Sequence, residues 1–360
     1  MGTKTKTERF SSTKKIIRTI IIVLVIGLSV NVFISFFFDF QKLRDEIMKV
    51  RLEHIAVPFA LYILIYLIDS FRLKLVFSQF QYRIKLRDAF ENSLLGYFFA
   101  YLTPMMAGSQ PAQIYHLKKL GFDGKTSTNV IMSRFIEYLG SAVLLTIVFL
   151  PSIFPILNKA GTEAVFLYVG LAISVLASIA IILLFIRPDF IGNLLARLEA
   201  NFIGRAITRI SKKSNWGKAV QGWSQGLRTS IGFLWKEKFY IIGIDIILNI
   251  VILGIQVFSL TWVLINIVGI PLNFFQIFIT VLLLNLVVHY IPTPGASGGL
   301  EGIYTMVFSL YTGLAQSSFI AVVVWRFGTY YLQILLGLVF FFLMRRRGVF
   351  SNKTELPNLP

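Results

Sequence analysis

Cysteine is absent from the 360 residues, which excludes thiol nucleophiles, disulfides and thiolate metal sites. Histidine occurs only at His54, His116 and His289, a scatter without metal-ligand spacing, so neither metal nor cofactor is expected. Charge is scarce as well. Asp, Glu, Lys and Arg make up 14% of the chain, where a soluble domain carries about a quarter. Acid is the scarcer sign: 17 carboxylates stand against 35 basic side chains, for a net charge of +18. Gly295-Ala-Ser-Gly-Gly299 fits the G-x-S-x-G pattern of hydrolases. That pattern needs a strand–turn–helix in an α/β sheet, for which this chain has no strands. The same stretch lacks the Gly-Lys-Ser/Thr of a P-loop, so ATP hydrolysis is unsupported.

Apolar residues fill the space that charge leaves. Ile246–Val288 holds no charged residue, and Thr162–Leu184 holds only Glu163. About 20 such residues span the hydrocarbon core as a helix, and the runs are continuous where a barrel alternates. The fold class is therefore all-α and polytopic. Full spans are predicted near 16–38, 55–76, 127–150, 162–186, 239–265 and 315–343, with two broken segments near 89–120 and 273–313. Ile16–Phe38 is too long for a signal-peptide core and lacks a small-residue cleavage site, so it reads as a retained helix. On this topology 28 basic residues flank the cytoplasmic face and 5 the outer face, the positive-inside pattern. Both termini are expected in the cytoplasm, in a multi-pass protein of the plasma membrane. The expected organisation is a basic tail (1–15), one integral-membrane domain (16–345) and a second tail (346–360). The basic stretch 187–238, with Trp216, Trp223 and Trp235, reads as a cytoplasmic amphipathic linker able to meet anionic headgroups. Nucleic acid is not an expected partner, because the basic residues flank spans and form no single patch.

The two broken segments resemble each other. Leu95–Pro104 aligns with Leu284–Pro294, with Tyr101 or Tyr290 ahead of a proline turn and Tyr115 or Tyr304 fourteen residues after that tyrosine. Each turn is followed by a span carrying an Arg-Phe pair, Arg134-Phe135 or Arg326-Phe327. The unit is span, broken hairpin, span, and it occurs twice, near 55–150 and 239–343. The charge count inverts one copy relative to the other. Broken helices at matching places in inverted halves point to a transport site near the midplane.

Arg134 and Arg326 are the sharpest candidates, because a charge within the bilayer costs about 2.5–3.5 kcal/mol and needs a partner. Glu137 lies at i+3 from Arg134, so these two form either a structural ion pair or part of a phosphate site. Arg326 has no acid in its own helix, which leaves Glu301 or a ligand phosphate. Pro292-Thr-Pro-Gly-Ala-Ser-Gly-Gly-Leu-Glu-Gly302 opens a half-helix whose N–H groups suit an anion, or whose glycines merely shape a turn, and Glu301 in its first turn could cap it without meeting a ligand. Ser297, Gly298, Gly299, Tyr101 and Tyr290 complete the candidate substrate-binding set; no catalytic residue is assigned. Asp69, Arg72 and Asp245, near the cytoplasmic span ends, read first as snorkelling or capping residues. If Asp69 or Glu137 faces a cavity, proton coupling opens as a second reading.

At the stretches 101–121 and 292–302 the chain resembles the flippase-like family known as the lysylphosphatidylglycerol synthase transmembrane region, over roughly 15–345. In the multiple peptide resistance factors this region is similar to a lipid flippase fused to a soluble aminoacyl-transferase domain. Arg134, Glu301 and Arg326 match the family, whereas Gln110 and Gln113 stand where an acidic and a basic residue are common. The resemblance implies translocation of an anionic phospholipid, aminoacyl-phospholipid or polyprenyl-phosphate lipid. The alternative it implies is a membrane component of a lipid-modifying system, such as phosphatidylglycerol lysyltransferase or glycolipid assembly, working with a separate enzyme. Since the chain stops at Pro360, soon after Arg345-Arg346-Arg347, it is not expected to transfer lysine alone.

Overall fold

A computed structural model describes residues 6–158, 161, 163–186 and 232–350. All named elements are helical. The first is α1 (Lys6–Ser35), followed by a short α2 (Phe40–Met48) that Asp39 caps by accepting from the Lys42 amide at 3.0 Å. The first repeat comprises α3 (Glu53–Ser78), the broken pair α4 (Leu86–Leu102) and α5 (Ser109–Lys119), and α6 (Gly124–Leu157). After α7 (Glu163–Ile186) the second repeat runs through α8 (Phe239–Val268), the pair α9 (Phe274–Val288) and α10 (Gly299–Thr312), α11 (Ala315–Arg326) and α12 (Leu332–Arg346). Five stretches are long and apolar enough to cross a membrane: Ile17–Ser35, Glu53–Ser78, Gly124–Ser152, Phe239–Val268 and Ala315–Arg346. The sixth predicted span is the 24-residue α7, whose apolar stretch Leu167–Leu183 is shorter. The linker expected over 187–238 lies outside the described residues as far as 231. Beyond that, residues 232–237 are helical and bury Leu234 against Leu73, Phe77 and Leu117.

The repeats interleave. Their first helices, α3 and α8, pack together most extensively; α6 packs on hairpin helix α9, and α12 on hairpin helix α4. Each repeat thus closes its last helix over the other's hairpin. The hairpin tips share one backbone path. Pro104 and Pro294 face each other as an antiparallel bridge, and each is followed by two left-handed residues, Met105 and Met106 (φ 52° and 55°) or Gly295 and Ala296 (φ 55° and 56°). In both tips the second left-handed amide donates to the threonine carbonyl, Met106 to Thr103 at 3.3 Å and Ala296 to Thr293 at 3.0 Å. The first tip holds non-glycine residues in a conformation that costs about 1–2 kcal/mol each. Such geometry persists only where surrounding contacts fix it.

Apolar side chains also coat the outside. Phe36, Phe37, Leu144, Leu176, Ile247 and Val339 are all more than half exposed, an arrangement suited to lipid and costly in water. At Arg326 the last long helix departs from α geometry in a π turn, Phe327–Tyr331, which the sequence pattern did not predict. Gly328 allows this turn to approach α3, since a Cβ there would lie 2.7 Å from the Ile55 carbonyl. Single π turns inside helices recur at functional positions.

Candidate functional site

A cavity of about 290 Å³ lies between the repeats. Tyr97, Tyr101, Gln110, Gln113, Arg134 and Tyr138 line it from the first repeat, and Asn249, Gln256, Asn285, Trp325 and Arg326 from the second. Arg134 follows the start of α6 by ten residues and Arg326 follows the start of α11 by eleven. At 1.5 Å per residue, both lie about 15–17 Å along their helices, roughly half of a core about 30 Å thick.

Arg134 does not pair with Glu137 as the i+3 spacing suggests. Its Nη2 donates to Asp69 Oδ1 of α3 at 2.6 Å, and Glu137 lies 3.8 Å from Arg72 instead. The cross-helix partner wins because Asp69 is already fixed, accepting from Ser93 Oγ at 2.7 Å and from Arg72 Nη1 at 3.3 Å. Arg72 in turn forks Asp245 through Nε at 2.8 Å and Nη2 at 3.1 Å, and reaches Asn249 at 3.2 Å. Asp69, Arg72 and Asp245 are therefore not snorkelling or capping groups: they are 7%, 5% and 0% exposed and join α3, α6 and α8. Bidentate guanidinium–carboxylate geometry is the form in which buried charges satisfy one another. Neither oxygen of Glu137 accepts a hydrogen bond among the described residues, and neither does Arg134 Nε donate one.

The second cluster holds the second hairpin tip. Arg326 Nε donates to Glu301 Oε1 at 3.0 Å, its Nη2 donates to the Gly295 carbonyl at 2.9 Å, and its guanidinium lies 3.9 Å over the Tyr330 ring. Glu301 supplies the acid that the sequence required. Its other oxygen accepts from the Gly298 amide at 2.7 Å, so the protein's own carboxylate caps the half-helix end where an anion was expected. Ser297 Oγ donates to Tyr330 at 3.2 Å. Gly298 and Gly299 serve close approach: a Cβ on Gly298 would lie 2.7 Å from Val30, and one on Gly299 would overlap Ile291. Tyr101 packs edge-on against Tyr330. Tyr290, its expected counterpart, turns to α7 and pairs with Ser178 at 2.7 Å.

Of the expected residues, Tyr101, Arg134 and Arg326 border the cavity. Asp69, Arg72 and Asp245 were legible only as charges inside apolar spans, and Asn249 and Gln256 only as amides seven residues apart in an uncharged run. A protein-family model, described as the lysylphosphatidylglycerol synthase TM region, matches residues 20–337. The chain belongs to this family. No curated protein and no solved structure matches it. Membership in the lysylphosphatidylglycerol synthase TM region family, with five long apolar helices, makes the chain a membrane protein and suggests a lipid-related function. Both ion clusters, the tip contact and the cavity are built from residues inside the matched region of that family.

Proposed function

We propose that the protein moves a lipid with an anionic headgroup between leaflets of a cell membrane, the headgroup passing through the cavity while the acyl chains stay in the bilayer. The observation that supports this most is a cavity lined by both repeats, with arginines, amides and phenols set in a largely apolar wall about half-way along the long helices. Polar backbone and charge at that depth are tolerated where they line a wet cavity or bury in protein. Arg134 and Arg326 border this cavity, each engaged by a carboxylate, so a headgroup meets paired charges there. Passage past the tips requires the Pro104–Pro294 contact to part.

The test is leaflet-specific movement of labelled phosphatidylglycerol, its lysyl derivative, phosphatidylinositol and a polyprenyl phosphate in proteoliposomes. Ser141 lines the cavity and belongs to neither ion cluster, so Ser141→Trp obstructs the path with the charges intact. Movement above the empty-vesicle rate, lost in folded Ser141→Trp, is expected. No movement, or an unchanged rate in that variant, refutes the proposal and favours a role beside a separate lipid-modifying enzyme.

A further inference from the structure

The cavity's cations are already engaged. Its guanidiniums face Asp69, Asp245 and Glu301, so a bare phosphate meets no free charge of its own. The groups left open are neutral. Tyr97, Gln110, Gln113, Tyr138 and Gln256 all border the cavity, and none of their side chains has a hydrogen-bond partner among the described residues. Amides offer both donors and acceptors, and phenols do the same through one oxygen. Trp325 adds an aromatic wall to this set; its Nε1–H is taken by Ser259 at 2.9 Å.

Such a lining is complementary to a ring of hydroxyls. Each hydroxyl both donates and accepts, as the amides and phenols do, and the C–H face of the ring suits the negative face of an aromatic system. The volume, about 290 Å³, sits at the lower edge of the roughly 300–1,000 Å³ of small-molecule pockets, which accommodates one such ring. We infer that the cavity selects a lipid whose phosphate carries a cyclic polyol, an inositol or a sugar ring. This rests on the translocation reading above and names its substrate class.

The test measures binding without movement. The full-length protein in detergent is titrated with phosphatidylinositol and with phosphatidylmethanol, which carry the same single negative charge and differ in the hydroxylated ring. Thermal stabilisation reports occupancy. Half-saturation is expected at roughly tenfold lower phosphatidylinositol, the equivalent of one or two net hydrogen bonds. Gln256→Leu, or Gln110→Leu if the first variant does not fold, should erase that preference and leave phosphatidylmethanol unchanged. Equal half-saturation for the two lipids overturns the inference, and so does a preference that survives both variants. Failure of translocation is read separately in vesicles, where phosphatidylinositol that binds yet never moves refutes the transport reading alone.

Discussion

Removing Arg326 leaves Glu301 as a buried carboxylate without a cation. The pair is separated by 3.0 Å with Glu301 fully buried. At an effective dielectric near 20 the attraction is about 5–6 kcal/mol. Much of that is offset by the desolvation both charges have already undergone, so the pair adds little net stability over apolar residues, yet breaking it typically costs about 3–5 kcal/mol. Arg326 also anchors the Gly295 carbonyl at 2.9 Å, so Arg326→Ala loosens the second tip. At about 2 °C per kcal/mol for a long chain, its melting temperature should fall by about 6–10 °C, read by tryptophan fluorescence in detergent at a fixed scan rate. Arg326→Met combined with Glu301→Gln removes both charges and keeps an oxygen for the Gly298 amide. That double variant should recover most of the loss, to within about 1–2 kcal/mol of the native chain. Arg326→Ala melting like the native protein, or the double variant melting lower than the single one, would show that the pair does not hold the second tip.

Three further outcomes follow from the geometry. Asp69→Asn removes the carboxylate shared by Arg72 and Arg134 and should cost about 3–5 kcal/mol, whereas Ser93→Ala removes one bond to Asp69 and should cost about 1.5–3 kcal/mol; equal melting of the two would contradict the network. Gly295→Ala puts a methyl into the Tyr330 ring at a left-handed position and should destabilise by more than about 1–2 kcal/mol, while Met105→Gly at the related position of the first tip should be neutral or stabilising by up to about 1 kcal/mol, both read as shifts in melting temperature. Asp123, in the loop before α6, accepts from the Thr126 amide at 2.8 Å, which holds its carboxyl below the usual range. Its folded value therefore lies under its unfolded one, so its contribution is complete above about pH 4 and is lost as pH falls through the folded value. Melting of the native chain should fall more steeply than that of Asp123→Asn between about pH 5 and pH 3.

The parts of this architecture that were legible in the sequence are those encoded locally. The apolar runs, the proline- and glycine-rich turns and the Arg-Phe pairs repeat along the chain, and the structure shows matching tips at Pro104 and Pro294. Glu301 was one of two partners open to Arg326, a ligand phosphate being the other, because the α11–α12 span holds no acid, and the structure pairs Arg326 with Glu301. The first cluster was not legible, since Arg72 and Asp245 are separated by 173 positions and only packing of α3 on α8 brings them together. The local candidate, Glu137, misled because i+3 spacing puts two residues on one face and says nothing of a better partner opposite. Tyr290 misled similarly. The aligned tip segments have equivalent positions at Tyr101 and Tyr290, yet α7 packs on α9 of the second hairpin and takes its tyrosine through Ser178. The capped half-helix was half legible: a carboxylate in the first turn of α10 was visible, and its occupation of the anion position depends on a rotamer.

Translocation through the cavity requires the two hairpin tips to gate a headgroup path between the halves. A chain without cysteine allows a direct measurement. Pro104→Cys with Pro294→Cys places a pair at an antiparallel bridge, where Cα separations of about 4.5–5.5 Å fall within the range a disulfide spans. Lipid movement is followed in proteoliposomes before oxidation, after it, and after reductant, with the crosslinked fraction determined on the same sample. Movement should stop in proportion to crosslinking and return on reduction, while each single-cysteine variant moves lipid throughout. Fully crosslinked protein that moves lipid at the reduced rate would contradict this gating.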